Sequence, residues 1–190
     1  MPAALSAGPR PFADRVDWTI DGLRAASFAG FVRFADLPRA DVPNVSGVYV
    51  VVRPDAAPPT FIETSIAGWF KGKDPTVRQE KLLAKWATKT SVLYIGKADV
   101  GTTGKRSIRK CLDEYRRHGA GEPVGHWGGR YLWQLSDSAD LLVCWKESLP
   151  TQAEAVETDL IADFMTQFGV LPLANLERGR SSSRGPCGAT

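Results

Sequence analysis

"SVLYIGKAD", residues 91–99, decides how this chain is read. Val92, Leu93, Tyr94 and Ile95 are β-formers, and the run ends on a glycine–lysine step, so it predicts a strand that stops at 97. Alternation along a strand sends Tyr94 and Gly96 to one side and Ile95 to the other. A glycine there admits a ligand close to the backbone, or simply a bend. "SGVYVVVR" (46–53) has the same composition and a proline after it, and predicts a second strand with Tyr49 near its start.

Outward from these two runs the chain alternates. A short helix is expected around 22–29. Residues 54–60 hold Pro54, Pro58 and Pro59 and predict a loop. "DPTVRQEKLLAKWA" (74–87) predicts an amphipathic helix opened by Asp74 and Pro75. In the helix expected at 105–117, Ile108, Cys111, Leu112 and Tyr115 fall at i, i+3, i+4 and i+7. "GHWGGRYLWQL" (125–135) reads as a glycine turn and a third strand, and "DLLVCWKE" (140–147) as a fourth. A last helix runs from Thr151 to about Gln167, and "GVLPLAN" (169–175) closes the body. This order predicts an α+β fold, a small mixed or antiparallel sheet flanked by helices. Residues 1–40 are expected as an N-terminal extension, 41–177 as the domain with an insert at 54–90, and 178–190 as a disordered tail.

Composition narrows the class. The chain has 190 residues, 24 Lys+Arg and 21 Asp+Glu, a net charge of +3 and a pI near 8.8. No stretch approaches the roughly 20 apolar residues of a membrane span, and no secretory h-region follows the start, so a cytoplasmic protein with no membrane partner is expected. Cys111, Cys144 and Cys187 are too few and too scattered for a disulfide framework or zinc site, and predict reduced thiols. Six basic side chains lie in "KRSIRKCLDEYRRH" (105–118): Lys105, Arg106, Arg109, Lys110, Arg116 and Arg117. They either track phosphates or form a solvated helix face.

The last helix carries an anomaly. Leu160, Ile161 and Phe164 define its apolar stripe, and one turn back that stripe reaches Glu157. An unpaired carboxylate buried there costs several kcal/mol, so it needs a metal, an arginine or a lysine. The alternative is a rotated helix with Val156 inside. Glu154 is expected at the surface. Tyr49, Tyr94, Lys97 and Glu157 are expected to converge on one face of the sheet, with Tyr94 a feasible general base beside a cation. His126 and Trp127 serve proton transfer and base stacking, or fill a glycine turn. His118 ends the basic helix, where a cation suits the dipole.

"GVY" (47–49) and "YIGKA" (94–98) resemble the two halves of the motif that names the GIY-YIG nuclease superfamily. "VETDLIADF" (156–164) is similar to the family helix that presents a metal-binding glutamate, and "LPLAN" (171–175) to its closing segment. The resemblance covers about residues 45–176. It implies hydrolysis of a DNA phosphodiester with one Mg²⁺ or Mn²⁺ held by Glu157. It implies that Tyr94 helps deprotonate water, that Tyr49 orients water or phosphate, and that Asn175 ties the closing segment to the site. Lys97 and an arginine of the following helix would stabilise charge on the phosphorane. DNA contacts are expected from Lys105, Lys110, Arg116, Arg117, His126 and Arg130.

Two departures stand out. The motif halves are separated by 44 residues (50–93), whose "GWFKGKDP" (68–75) is placed to reach substrate. The family arginine falls on Cys111, and a thiol does not stabilise a phosphorane as a guanidinium does. Arg109 and Arg106 lie about 200° and about 140° around the helix from it. The site then borrows Arg106 or Arg130, or the chain is a catalytically impaired nucleic-acid-binding or interaction module.

Overall fold

The computed structural model describes residues 15–101 and 106–176. Four strands, β1 (Ala29–Arg33), β2 (Gly47–Val52), β3 (Val92–Ala98) and β4 (Leu142–Glu147), form one antiparallel sheet in the order β1-β4-β2-β3. Helices α1 (Ile20–Ala25), α2 (Gln79–Ala84), α3 (Ile108–Gly119) and α4 (Ala153–Phe168) flank it, so the fold is α+β. Among the described residues no helix is long and apolar enough to cross a membrane.

β2 lies between β4 and β3 and is covered on both faces, which is why all six of its residues are buried. Tyr49 and Val51 point to the side of α3, where they join Tyr94, Ile108, Leu112, Tyr115 and Trp145. Val48 and Val50 point to the side of α4, with Ile95, Cys144, Leu160, Ile161 and Phe164. α3 starts at Ser107, whose hydroxyl accepts from Lys110 N at 3.3 Å, and buries the expected i, i+3, i+4, i+7 stripe. α4 ends on Gly169 at φ 74°, the usual left-handed stop. Cys111 and Cys144 are buried thiols outside any disulfide, and burial pushes the Cys144 thiol up to about 12.

Several local expectations are corrected. The helix expected at 22–29 is α1 followed by β1, so residues 29–33 enter the sheet against β4. Val16, Trp18, Leu23 and Phe28 pack in the α4-side core, so residues 16–40 belong to the body rather than extending from it. The helix expected at 74–87 shortens to 79–84. Asp74 bonds back to Thr76 N at 2.8 Å, and Val77 N is taken by Gln134 Oε1 at 2.8 Å, so the chain is held extended before Arg78. The third strand expected at 125–135 is a 3-10 helix, Trp127–Gln134, packed against α3. Residues 1–14 and the expected tail at 178–190, with Cys187, lie outside the described residues.

Candidate active site

The site is built along β3, an outer strand of the sheet. Tyr49 pairs directly with Gly96 in the β2–β3 register, and Tyr94 with Val51. The Tyr49 ring lies over Gly96. A Cβ at 96 would meet Tyr49 Cζ and Tyr94 Cε1 at 2.7 Å and Tyr49 Oη at 2.9 Å. Glycine is therefore what lets the two phenols share this edge, with ring centroids 5.9 Å apart. Tyr94 in turn packs edge-on against Tyr115 of α3 at 5.6 Å.

The next residue turns to the other side. Lys97 points to α4, where its Nζ lies 3.0 Å from Glu154 Oε1 and 3.6 Å from Glu157 Oε2. Glu157 is 7% exposed, and Val156 is only half-buried, so the helix is not rotated and the acid does occupy the core position. Lys97 supplies the cation that burial demands. Glu154, expected at the surface, is instead half-buried and shares that lysine. The expected convergence on one face is also corrected. The tyrosines belong to the α3 face and the Lys97–Glu157 pair to the α4 face, on either side of the edge at Gly96.

The closing segment covers that edge. Asn175 accepts from Ile95 N at 3.0 Å and donates to Ile95 O at 2.8 Å, and Ala174 N bonds Leu93 O at 2.9 Å. One side chain thus does what a neighbouring strand would do, between Tyr94 and Gly96. The expected tie between the closing segment and the motif is this clip.

The other expected residues are dispersed. Arg109 bonds Val42 O at 2.7 Å and lines a groove of about 460 Å³ with Leu37, Pro38, Asn44 and Lys110, on the side of α3 that meets the 34–39 turn. It is not part of the β3 edge. Arg106 stands just before the α3 cap, half-buried. Cys111 is 1% exposed, inside the core. Arg116 pairs with Asp113 at 2.8 Å, Arg117 with Glu122 at 2.6 Å and Lys110 with Glu114 at 3.4 Å, so much of the charge of the basic helix is met by acids on it or just past its end. Lys105 lies outside the described residues. Arg130 lies over Trp127 at 4.2 Å and Tyr131 at 5.0 Å, and burial lowers its pKa.

No family model, curated protein or solved structure matches this chain.

Both histidines depart from expectation. His126, expected at DNA, is fully buried and stacks on Tyr115 at 3.8 Å. His118, expected as a helix-terminal cation, is also fully buried. The His126 ring has no hydrogen-bond partner among the described residues, and His118 has only the Gly68 backbone close by, which weakly favours its charged form. Burial first, and then the charges of His126 and Arg130, push His118 down from the usual 6.5 to about 4. His118 is thus neutral when folded, and the unfolded chain binds the extra proton. Its contribution to stability is complete above about pH 6.5 and is lost as pH falls to about 4, a change of about 3 kcal/mol. In urea titrations at stepped pH, His118→Leu should flatten the decline across that window. An unchanged slope would assign the acid sensitivity to other groups.

No local pattern marks Gln134, whose buried amide holds the insert. Its Nε2 donates to Val77 O at 2.7 Å and Ile62 O at 3.1 Å, while its Oε1 takes Val77 N.

Proposed function

We propose that this chain is a metal-dependent endonuclease that hydrolyses DNA phosphodiester bonds through a GIY-YIG-type site. One observation carries the reading. Two tyrosines from motif halves 44 residues apart pack as one unit over Gly96, and the following lysine meets the buried acid of the last helix.

Glu157 is the residue to hold the ion. Mg²⁺ commonly takes one or two carboxylates and completes its shell with water and substrate phosphate. Glu157, with Glu154 one turn away, offers at most two carboxylates, both now facing Lys97, and among the described residues no group of three His, Cys, Asp or Glu side chains is placed for a metal. A bound Mg²⁺ or Mn²⁺ supplies Lewis-acid stabilisation of charge on the phosphate and its leaving oxygen. Tyr94 takes the proton of the attacking water, and Tyr49 orients water or phosphate from across the edge. Lys97 offsets phosphate charge. Asn175 fixes β3 so that these groups keep their places, and Arg106, ahead of α3, is the arginine to test.

A second reading, a nucleic-acid-binding module that does not cut, is favoured by Cys111, a buried thiol where the family carries arginine. Plasmid nicking separates the two. The enzyme reading expects nicking with Mg²⁺ or Mn²⁺, none with EDTA, and a loss of roughly 10²–10⁴-fold in Tyr94→Phe, the range of a general base. DNA binding without metal-dependent nicking supports the module.

A further inference from the structure

The insert between the motif halves carries a feature that the β3 edge does not use. Trp69 is 57% exposed, and it is the sole aromatic among the exposed large apolar side chains of the described residues. It starts a two-residue hairpin: Phe70 and Lys73 form an antiparallel bridge, closed by Lys73 N to Phe70 O at 3.1 Å. The two turn residues, Lys71 at φ 54° and Gly72 at φ 71°, are both left-handed, as a tight primed turn requires. Lys71 pays about 1–2 kcal/mol for that conformation. Its ammonium lies 5.4 Å from the centre of the Phe70 ring.

The hairpin is fixed at its foot. Gly68 N donates to His118 O at 2.8 Å, Ile66 N donates to Trp133 O at 3.2 Å, and a Cβ at 68 would run into the Glu122 carbonyl. His118 lies one helical turn beyond Tyr115, the residue that packs on Tyr94. A rigid path thus joins the hairpin to the β3 edge. Its tip presents one large ring and two exposed lysines, while Asp74 is turned back onto Thr76.

We propose that the 69–73 hairpin engages unpaired DNA, with Trp69 stacking on an exposed base and Lys71 and Lys73 holding the phosphates beside it. The inference rests on the nuclease reading and names its substrate class: single-stranded or locally unpaired DNA. An aromatic ring followed by cations on a firmly seated turn is a usual way to hold a base of any sequence. An anionic lipid surface is the less favoured occupant, because membrane-surface elements bury a broad apolar face and this tip offers a single ring beside Ile66.

The test measures binding of the full chain, in EDTA, to a labelled oligothymidine strand and to a blunt duplex, by anisotropy. Nicking in Mg²⁺ is run in parallel. Trp69→Ala should lose about 5- to 150-fold on the single strand, the worth of one stacked base, and less than about twofold on the duplex. Trp69→Phe should recover part of that loss. Lys71→Ala with Lys73→Ala should lower the salt slope by about 1.4. Because Trp69 is exposed, its variants should melt with the wild type. Single-strand binding unchanged in Trp69→Ala overturns the proposal, as does a wild type that binds no DNA. Trp69-dependent binding to phosphatidylserine vesicles but not to DNA also overturns it, in favour of a membrane. Trp69-dependent DNA binding without metal-dependent nicking keeps this inference and removes the nuclease reading. Nicking that survives with no role for Trp69 does the reverse.

Discussion

Gly96→Ala is expected to lower nicking by about 100-fold or more and to destabilise the fold by roughly 1–3 kcal/mol. Gly96 has no left-handed backbone to protect, so the cost is steric. The new methyl would stand 2.7 Å from a carbon of each tyrosine ring. Both rings are buried, Tyr49 completely and Tyr94 to 3% exposure, and Tyr94 is held from behind by Tyr115. The Tyr49 ring must therefore lift from the edge, or β3 must shift away from β2, and either motion moves a phenol by about the ångström that separates productive from unproductive geometry. Combining Gly96→Ala with Tyr49→Leu relieves the worst overlap. The double variant should regain part of the lost stability in urea titration and none of the lost nicking, a non-additive pair as expected for residues in contact. An alanine variant as stable and as active as the wild type would mean that the tyrosines do not work from this edge.

Much of the sheet was legible because its central residues obey simple rules. "GVYVVV" is a continuous β-forming run, and it became the fully covered strand β2. The α3 stripe at 108, 111, 112 and 115 was legible for the same reason, since one apolar face repeats at the helical period. β1 was hidden. It is five residues long, and its register shifts between Gly30 and Val32, where Gly30 and Phe31 both take positive φ. A bulge of that kind breaks the alternation by which a strand is recognised. The stretch 125–135 misled in the opposite direction. Tyr131 and Trp133 alternate with other residues as in a strand, yet Tyr131, Leu132 and Trp133 are all buried, because the segment is wound between α3 and the insert. A 3-10 helix whose last four residues, 131–134, are all buried has no polar face there to give it a period.

The site divides along the same line. Glu157 stood out because a charge in an apolar stripe breaks a local pattern, and it is buried there. Lys97 was expected on the face of Tyr49 and Tyr94, and its pairing with Glu157 on the other face was not read. Alternation along β3 in fact sends Lys97 to the side opposite Tyr94, and the edge position of β3 between the two faces depends on strand order, which the sequence does not display. Gln134 and the foot of the hairpin at Gly68 join residues about 50 or more positions apart, and no local rule reports such a contact.

Glu157→Gln is expected to abolish nicking, by about 10³-fold or more, while leaving the fold within about 1 kcal/mol of wild type. The two effects separate because of how Lys97 is held. Removing one partner of a buried ion pair usually costs about 3–5 kcal/mol, since the other charge is stranded. Here the ammonium keeps Glu154 at 3.0 Å, the shorter of its two contacts, and its side chain retains 14% exposure. The amide also preserves the volume of the carboxylate. What vanishes is the negative charge in the buried position, and with it the proposed ligand for a divalent ion. Glu154→Gln is the matched control. It removes a carboxylate from the same lysine at a position with 42% side-chain exposure, so nicking should fall by less than about tenfold. Nicking rates in Mg²⁺ and urea midpoints of both variants decide the matter. Equal losses of activity would show that the total charge around Lys97, and not the buried acid, is what the reaction requires. Full activity in Glu157→Gln would remove the metal from this helix altogether.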